Sequence, residues 1–339
     1  MVTYSESGVD IDIEEIAVQK IASKLKSTLK NREVITESGH FASLVRLGDK
    51  GIAMSTDGVG SKVLIAELMK KYDTVGIDCI AMVVNDLLCV GAEPIALVDY
   101  LAVENVDPDI ISEIADGLAK GANISKTAII GGETASLPDI INNFDLAATG
   151  IGIVELGKAI TGEDIEDGDI LIGLGSSGIH SNGLSLARKV LLEKFELDYV
   201  IPETETTIGE ELLKPTKIYV EPIVNLLKTD FEVKGLAHIT GGGFNNLKRL
   251  NNNVGFEINN LPQPQAIFKL IYGQNVPLNE MYKVFNMGIG FVVIVSEKDH
   301  RNVLDYLKKY SHPYKIGKVN SNNNEVTIET FIYNETIKY

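Results

Sequence analysis

The chain has 339 residues, 45% of them hydrophobic and 23% charged, with 31 lysines and arginines against 47 aspartates and glutamates. Such a composition is that of a soluble globular protein with length enough for two domains, and a formal net charge of -16 excludes a general nucleic-acid or anionic-membrane surface. Cys79 and Cys89 read as reduced thiols, no uncharged apolar stretch has membrane-spanning length, and acids replace a basic leader at the start, so the expected setting is the cytoplasm.

Tyr4 to Asp10 is polar and expected to be loose, and a helix follows with Val18, Ile21, Ala22, Leu25 and Leu29 on one face. Ser38-Gly39-His40 reads as a short loop with His40 solvated. The strand-like run Gly51 to Met54 then leads into Ser55-Thr56-Asp57-Gly58-Val59-Gly60-Ser61-Lys62, and a helical run, Val63 to Met69, leads out. Glycines let a backbone approach a ligand, helix-start amides face anions, and an aspartate at such a corner can hold magnesium on a nucleotide. An ordinary strand–turn–helix corner, with Asp57 bonding its own turn, is the competing reading of this stretch alone. The spacing is not that of a P-loop. Ile80, Val83, Val84, Leu87 and Leu88 recur at helical spacing around Asn85-Asp86, where a carboxylate among apolar neighbours is costly unless paired or metal-bound.

Ile95 to Val103 reads as a strand, Asp107-Pro108 as a helix start, and Thr127 to Ile130 as a strand whose end delivers Gly131-Gly132-Glu133. With a strand from Leu146 to Val154 the order is β-α-β-α-β-β, an α/β (α+β) first domain. The polar stretch Gly157 to Asp169 marks the boundary, giving expected domains 1–160 and 161–339. The second opens on strand Ile170 to Ile172 and then Gly173-Leu174-Gly175-Ser176-Ser177-Gly178. This formally matches the dinucleotide fingerprint, but the loop runs on to Gly183 before a helix starts at Leu184, so the last glycine opens no helix. A glycine, serine and asparagine loop still suits phosphate or ribose oxygens. Lys214 to Val220 leads into another helix. A strand from Val233 to Ala237 ends in His238-Ile239-Thr240-Gly241-Gly242-Gly243, where the histidine is expected to serve as an anion donor or proton-transfer group, or else to fix its own turn. Phe291 to Val295 reads as a buried strand, followed by a helix from Lys298 to Lys309 and a final strand pair.

Taken together these stretches resemble the phosphoribosylformylglycinamidine cyclo-ligase family nearly end to end. The likeness covers Gly8 to Asp12, Ser55 to Lys62, Asn85 to Leu88, Gly91 to Pro94, Asp99-Tyr100, Gly131 to Ala135, Ser176 to Gly183, His238 to Gly243, Met281-Tyr282 and Phe285-Asn286. The resemblance implies ATP-dependent cyclisation of formylglycinamidine ribonucleotide to aminoimidazole ribonucleotide, with ATP and Mg2+ as cofactors. It implies a homodimer whose N-terminal domains share a β-barrel, a C-terminal layered α/β domain completing the substrate site, and neither nucleic-acid nor membrane partners. Carried over residue by residue, Lys62 and His238 are expected to be catalytic. Asp57, Gly58, Gly60, Lys62, Asp86, Gly131, Gly132 and Glu133 are expected to bind the nucleotide, with Asp57, Asp86 and Glu133 as metal ligands. Ser177, His180, Ser181, Asn182, Thr240, Gly241 and Gly242 are expected to face the substrate. Where the family has a glycine-rich loop this chain has Ser38 to Ser43, after Ala135 it has Ser136-Leu137-Pro138-Asp139, and Ser5 stands in the place of a usual basic residue. Another ATP-dependent enzyme of the superfamily, or a non-catalytic nucleotide-binding homologue, is the alternative reading.

Overall fold

The computed structural model describes residues 8, 11–36, 39–322, 324–330 and 335–339. The expectations placed on Tyr4 to Asp10 (Gly8 apart), including Ser5, and on Ser38 lie outside the described residues. Helix α1 (Ile11–Leu25) tightens into a 3-10 turn over Lys26–Asn31. Its apolar face finds no core in the protomer: Ile21 and Leu25 are more than half exposed.

A five-stranded sheet follows. Strands β1 (Ser43–Leu47) and β2 (Lys50–Gly58) form a hairpin. Helices α2 (Lys62–Met69) and α3 (Val75–Leu88) precede strand β3 (Glu93–Val103), and helix α4 (Pro108–Ser125) crosses over to the parallel strand β4 (Ala128–Ser136). Strand β5 (Phe144–Glu155) closes the set, and the spatial order is β1-β2-β5-β3-β4. Asp107 caps α4 by accepting from the Asp109 and Ile110 amides, and Pro108 sits where a missing N–H costs nothing. The hairpin strand β1 adds to the expected order. Strand β4 runs on past Ile130 to Ser136, so Gly131 to Glu133 lie within the strand and not at its end.

One face of this sheet carries α3. Every residue of that helix except Asp86 is buried, and Val83 and Leu87 press on Gly150 of β5, where a Cβ would collide with them. Burying each such Val or Leu contributes about 1.5–3 kcal/mol, so α3 is the apolar axis of the first half. The opposite face is uncovered in the protomer, leaving Met54, Val98 and Tyr100 between 41% and 49% exposed.

The second half holds a seven-stranded sheet in the order β12-β11-β8-β10-β6-β9-β7. Its strands are β6 (Ile170–Gly175), β7 (Val233–His238), β8 (Gly255–Ile258), β9 (Ile289–Val295), β10 (Pro313–Asn320), β11 (Val326–Glu329) and β12 (Thr336–Lys338). Helices α5 (Leu184–Leu192), α6 (Ile208–Leu213), α7 (Val220–Leu226), α8 (Ala266–Tyr272), α9 (Leu278–Val284) and α10 (His300–Leu307) complete it. Strand β9, between β6 and the edge strand β7, is buried along its whole length, as its unbroken apolar run predicts. The molecule is therefore a mixed α/β protein built on two sheets.

Candidate active site

The end of β2, the last turn of α3 and the end of β7 bring Asp57, Asp86 and His238 together. Asp57 pairs with Ala148, which pairs with Asp99, so these positions share the sheet face that carries α3. Asp57 accepts the Gly58 amide at 2.7 Å. Burial, and then the neighbouring charge of Asp86, push the Asp57 pKa up to about 6, while His238 and Arg249 pull the other way. Asp86 accepts from His238 Nδ1 at 2.9 Å, and Asn85 Nδ2 lies 3.4 Å from the ring's other nitrogen. An amide donor on one nitrogen and a carboxylate on the other select the Nδ1-protonated tautomer. The His238 side chain is fully buried, whereas that of Asp86 keeps 14% of its surface. The surface-facing groups are thus two carboxylates, with the His238 ring buried behind Asp86.

Two neighbouring carboxylates, one of which raises the other's cost of ionisation, suit a divalent cation, since Mg2+ takes one or two carboxylates and completes its shell with phosphate oxygens and water. Glu133 does not join them. It pairs with Tyr100, which pairs with Ala147, on the sheet face away from α3, and it is exposed. Among the described residues no group of three or more His, Cys, Asp and Glu side chains is placed to hold a metal. Of the three expected metal ligands, Asp57 and Asp86 lie together in the protomer and Glu133 lies apart, because strand β4 continues through Glu133 and its pleat turns that side chain to the open face. Gly132 serves packing: a Cβ there would run into the Asp99 carboxylate. Gly60, at φ +67° and with open space beside it, forms the turn that leads into α2.

Lys62 is turned inward. Its side chain is fully buried, with Nζ 2.9 Å from Asp78 Oδ1, and it donates to the Lys214 carbonyl at 2.6 Å and the His180 carbonyl at 3.4 Å. Burial lowers its pKa, and the Asp78 charge opposes that effect. The lysine thus has three internal acceptors and no exposed surface.

The glycine–serine loop turns most of its expected contacts inward. Ser177 donates through Oγ to the Pro215 carbonyl at 2.6 Å, and Ser181 Oγ to Asp78 at 3.0 Å. His180, at φ +62° and 1% exposed, accepts the Ser177 amide at 3.2 Å and the Lys217 amide at 3.4 Å on Nε2. Burial, aided by the nearby charges of His238, Lys62 and Lys217, holds its pKa well below the usual histidine range, so the ring stays neutral. Asn182, with a buried Nδ2 that has no partner among the described residues, packs against Gly241. Thr240, Gly241 and Gly242 are at least partly exposed beside it. Of the expected substrate-facing set, Asn182 and Thr240 to Gly242 stay available, while Ser177, His180 and Ser181 hold the loop.

Several residues at the site carry no clear signal in the sequence. Arg249, in the 3-10 turn Gly243–Arg249, lies 5.1 Å over the Phe41 ring. Burial, and then its charge, lower the pKa of His40 to about 4, and neither His40 nitrogen has a partner among the described residues, so His40 is not the solvated loop residue expected. Asn286 accepts from Ser176 Oγ and donates to the Gly178 carbonyl, bracing the loop from β9's side. Asp78 is the residue whose signal was available: an acid seven positions before Asn85 in a helix otherwise apolar on that face.

Two closely apposed α/β halves with paired carboxylates at their junction define the class. Residues 39–154 match the AIR synthase related protein N-terminal domain and residues 166–329 its C-terminal domain. The chain is 66% identical over 333 residues to the phosphoribosylformylglycinamidine cyclo-ligase of Methanobrevibacter smithii, covering 98% of each chain. It is 59% identical over 340 residues to that of Methanothermobacter thermautotrophicus, covering 100% of each. The chain belongs to the phosphoribosylformylglycinamidine cyclo-ligase family. Solved structures share the fold at low identity. The hydrogenase maturation protein HypE in complex with ATP matches at a TM-score of 0.66 and 19% identity, over 87% of this chain and 86% of that one. AaThiL complexed with AMPPCP and TMP matches at 0.67 and 17%, over 94% and 96%.

Proposed function

We propose that this protein closes the imidazole ring of aminoimidazole ribonucleotide from formylglycinamidine ribonucleotide at the expense of ATP, releasing ADP and phosphate. The observation that carries the reading is likeness to named cyclo-ligases along the whole chain, at 66% and 59% identity, with Asp57 and Asp86 meeting where the halves join. In this reaction the formyl oxygen takes the γ-phosphoryl group, an amidine nitrogen attacks the activated carbon, and the carbon–oxygen bond breaks with loss of phosphate. Phosphoryl transfer needs positioned charge more than a protein nucleophile. Magnesium would supply that charge on the nucleotide phosphates, and Asp57 and Asp86 would hold it. Asp57, with a pKa of about 6 in the free protein, gives up its residual proton as positive charge arrives. His238, donating from Nδ1, holds the Asp86 carboxylate in place. Asn182 and the Thr240–Gly242 turn would meet the ribonucleotide.

The first 160 residues would carry the nucleotide and a dimer face, and residues 161–339 would complete the substrate site. The gap between the two matched segments, 155–165, supports a boundary there. The uncovered face of the first sheet, with Met54, Val98 and Tyr100, supports a homodimer built on β3 and β5, and Glu133 on that face would then meet the partner subunit. No helix among the described residues is long and apolar enough to cross a membrane, which supports a cytoplasmic enzyme. Purified protein given Mg-ATP and formylglycinamidine ribonucleotide should release ADP with formation of aminoimidazole ribonucleotide, identified by mass. Nucleotide binding without substrate-dependent ADP release would refute turnover and leave a binding protein.

A further inference from the structure

Helix α3 is joined to the second half by side chains it buries, not by apolar contact alone. The segment from Lys214 to Tyr219 runs beside the helix without regular structure, so its backbone groups need partners from elsewhere. They find three buried side chains in turn. Lys62 takes the Lys214 carbonyl, Asp78 takes the Thr216 amide at 2.7 Å, and Asn85 takes the Tyr219 amide and gives to the Lys217 carbonyl, both at 2.9 Å. Asp78 and Asn85 are two helical turns apart, one above the other on the same face.

Asp78 is the crowded member of this row. A single oxygen, Oδ1, accepts from Lys62 Nζ, Ser181 Oγ, Thr216 N and Thr216 Oγ1, the last at 2.6 Å. Oδ2 is buried with no partner among the described residues. Thr216 Oγ1 also lies 3.0 Å from Ser181 Oγ. Three elements therefore share one atom: the start of α2, the glycine–serine loop, and the segment from Lys214 to Tyr219. That segment in turn gives the Lys217 amide to His180 and the Pro215 carbonyl to Ser177.

We propose that Asp78 is a positioning residue for the cyclisation: through Ser181 and Thr216 it fixes the Ser177–Asn182 loop, so that Asn182 is held against the Thr240–Gly242 turn in one geometry. The inference rests on the reading that this loop and turn receive the ribonucleotide. Its consequence is selective. Loosening the row lowers affinity for the ribonucleotide, whereas the nucleotide, held at Asp57 and Asp86, is unaffected.

Asp78→Asn leaves a buried lysine unpaired and risks the fold, so the decisive variant is Thr216→Val, which removes one hydroxyl of similar volume and keeps the backbone amide. Two measurements are made on Thr216→Val, Thr216→Ser and the parent: steady-state KM for each substrate, and amide hydrogen exchange across 176–183. Thr216→Val should raise KM for the ribonucleotide about tenfold, the loss of one hydrogen bond to a charged acceptor, with KM for ATP unchanged. Exchange in 176–183 should quicken while β6 and β9 stay protected, and Thr216→Ser should restore both. Unchanged exchange in that loop, or a KM change shared equally by both substrates, would overturn the positioning role. If the parent shows no turnover while Thr216→Val still quickens the loop, the functional reading fails and the mechanical one stands.

Discussion

Replacing Lys62 with methionine tests whether this lysine is a reagent or a strut. Both side chains of the Lys62–Asp78 pair are fully buried at 2.9 Å. Methionine fills similar volume but leaves the Asp78 carboxylate without its counter-charge and two carbonyls, of His180 and Lys214, without a donor. Removing one partner of a buried pair costs about 3–5 kcal/mol, against about 0–1 for an exposed pair. The loss should therefore approach half of a typical domain's stability. Urea unfolding followed by far-UV circular dichroism suits the chain, which has no tryptophan. Adding Asp78→Asn to Lys62→Met removes the orphaned charge and keeps an acceptor for Thr216, so the double variant should be destabilised less than the sum of the singles. The coupling should be about 2 kcal/mol, within the range of contacting residues. A Lys62→Met loss under about 1 kcal/mol, with KM for ATP sharply raised, would refute the strut and restore the phosphate-facing lysine.

Asp57 should destabilise the ligand-free fold at neutral pH. A carboxyl whose pKa rises from 3.8 to about 6 on folding leaves the unfolded chain to ionise first, so stability falls from about pH 4 to pH 6 and stays low above. Asp57→Asn should accordingly unfold at a higher temperature than the parent, by more at pH 7.5 than at pH 5, while losing activity; no gain at pH 7.5 would mean the carboxyl is not strained. Asp86→Asn should abolish most turnover in a folded protein, because it removes the negative charge proposed to hold magnesium while the amide oxygen still accepts from His238 Nδ1. Near-normal turnover with a lowered melting midpoint would remove Asp86 from the site. Light scattering at micromolar concentration should give twice the 36.8 kDa chain mass, and a monomer would leave the open sheet face without its proposed cover.

Strong periodicities and turn chemistry are legible in the sequence. Helix α3, the capped start of α4 and the buried strand β9 fall where apolar spacing and Asp107-Pro108 put them. Strand β1, with its exposed Arg46 and Leu47, and the short helices α6, α8 and α9 have too little apolar patterning to stand out. Strand β4 reads short because Gly131-Gly132 looks like a breaker, and pairing with β3 overrides that propensity through Ser136. The same override moves Glu133 to the far face. At the site, motifs name the right segments but not the direction of their side chains. Lys62, Ser177, His180 and Ser181 sit where a ligand contact is expected, yet each is turned inward by a partner distant in the chain or by the loop's own fold. Spacing along one chain carries no information about such partners. Arg249 reaches the site from an unpatterned turn.

The row formed by Lys62, Asp78 and Asn85 bears on how this chain can be recombined. A crossover near residue 160 would cut no strand or helix, and each sheet would pass intact to its new host. It would nonetheless part three buried polar side chains from the Lys214–Tyr219 backbone they satisfy. A chimera with a relative that binds this segment by other means would bury unmatched donors and acceptors on both sides of the junction. The smallest transferable part of the second half is therefore not its sheet, but the sheet together with a first half that carries the same three residues.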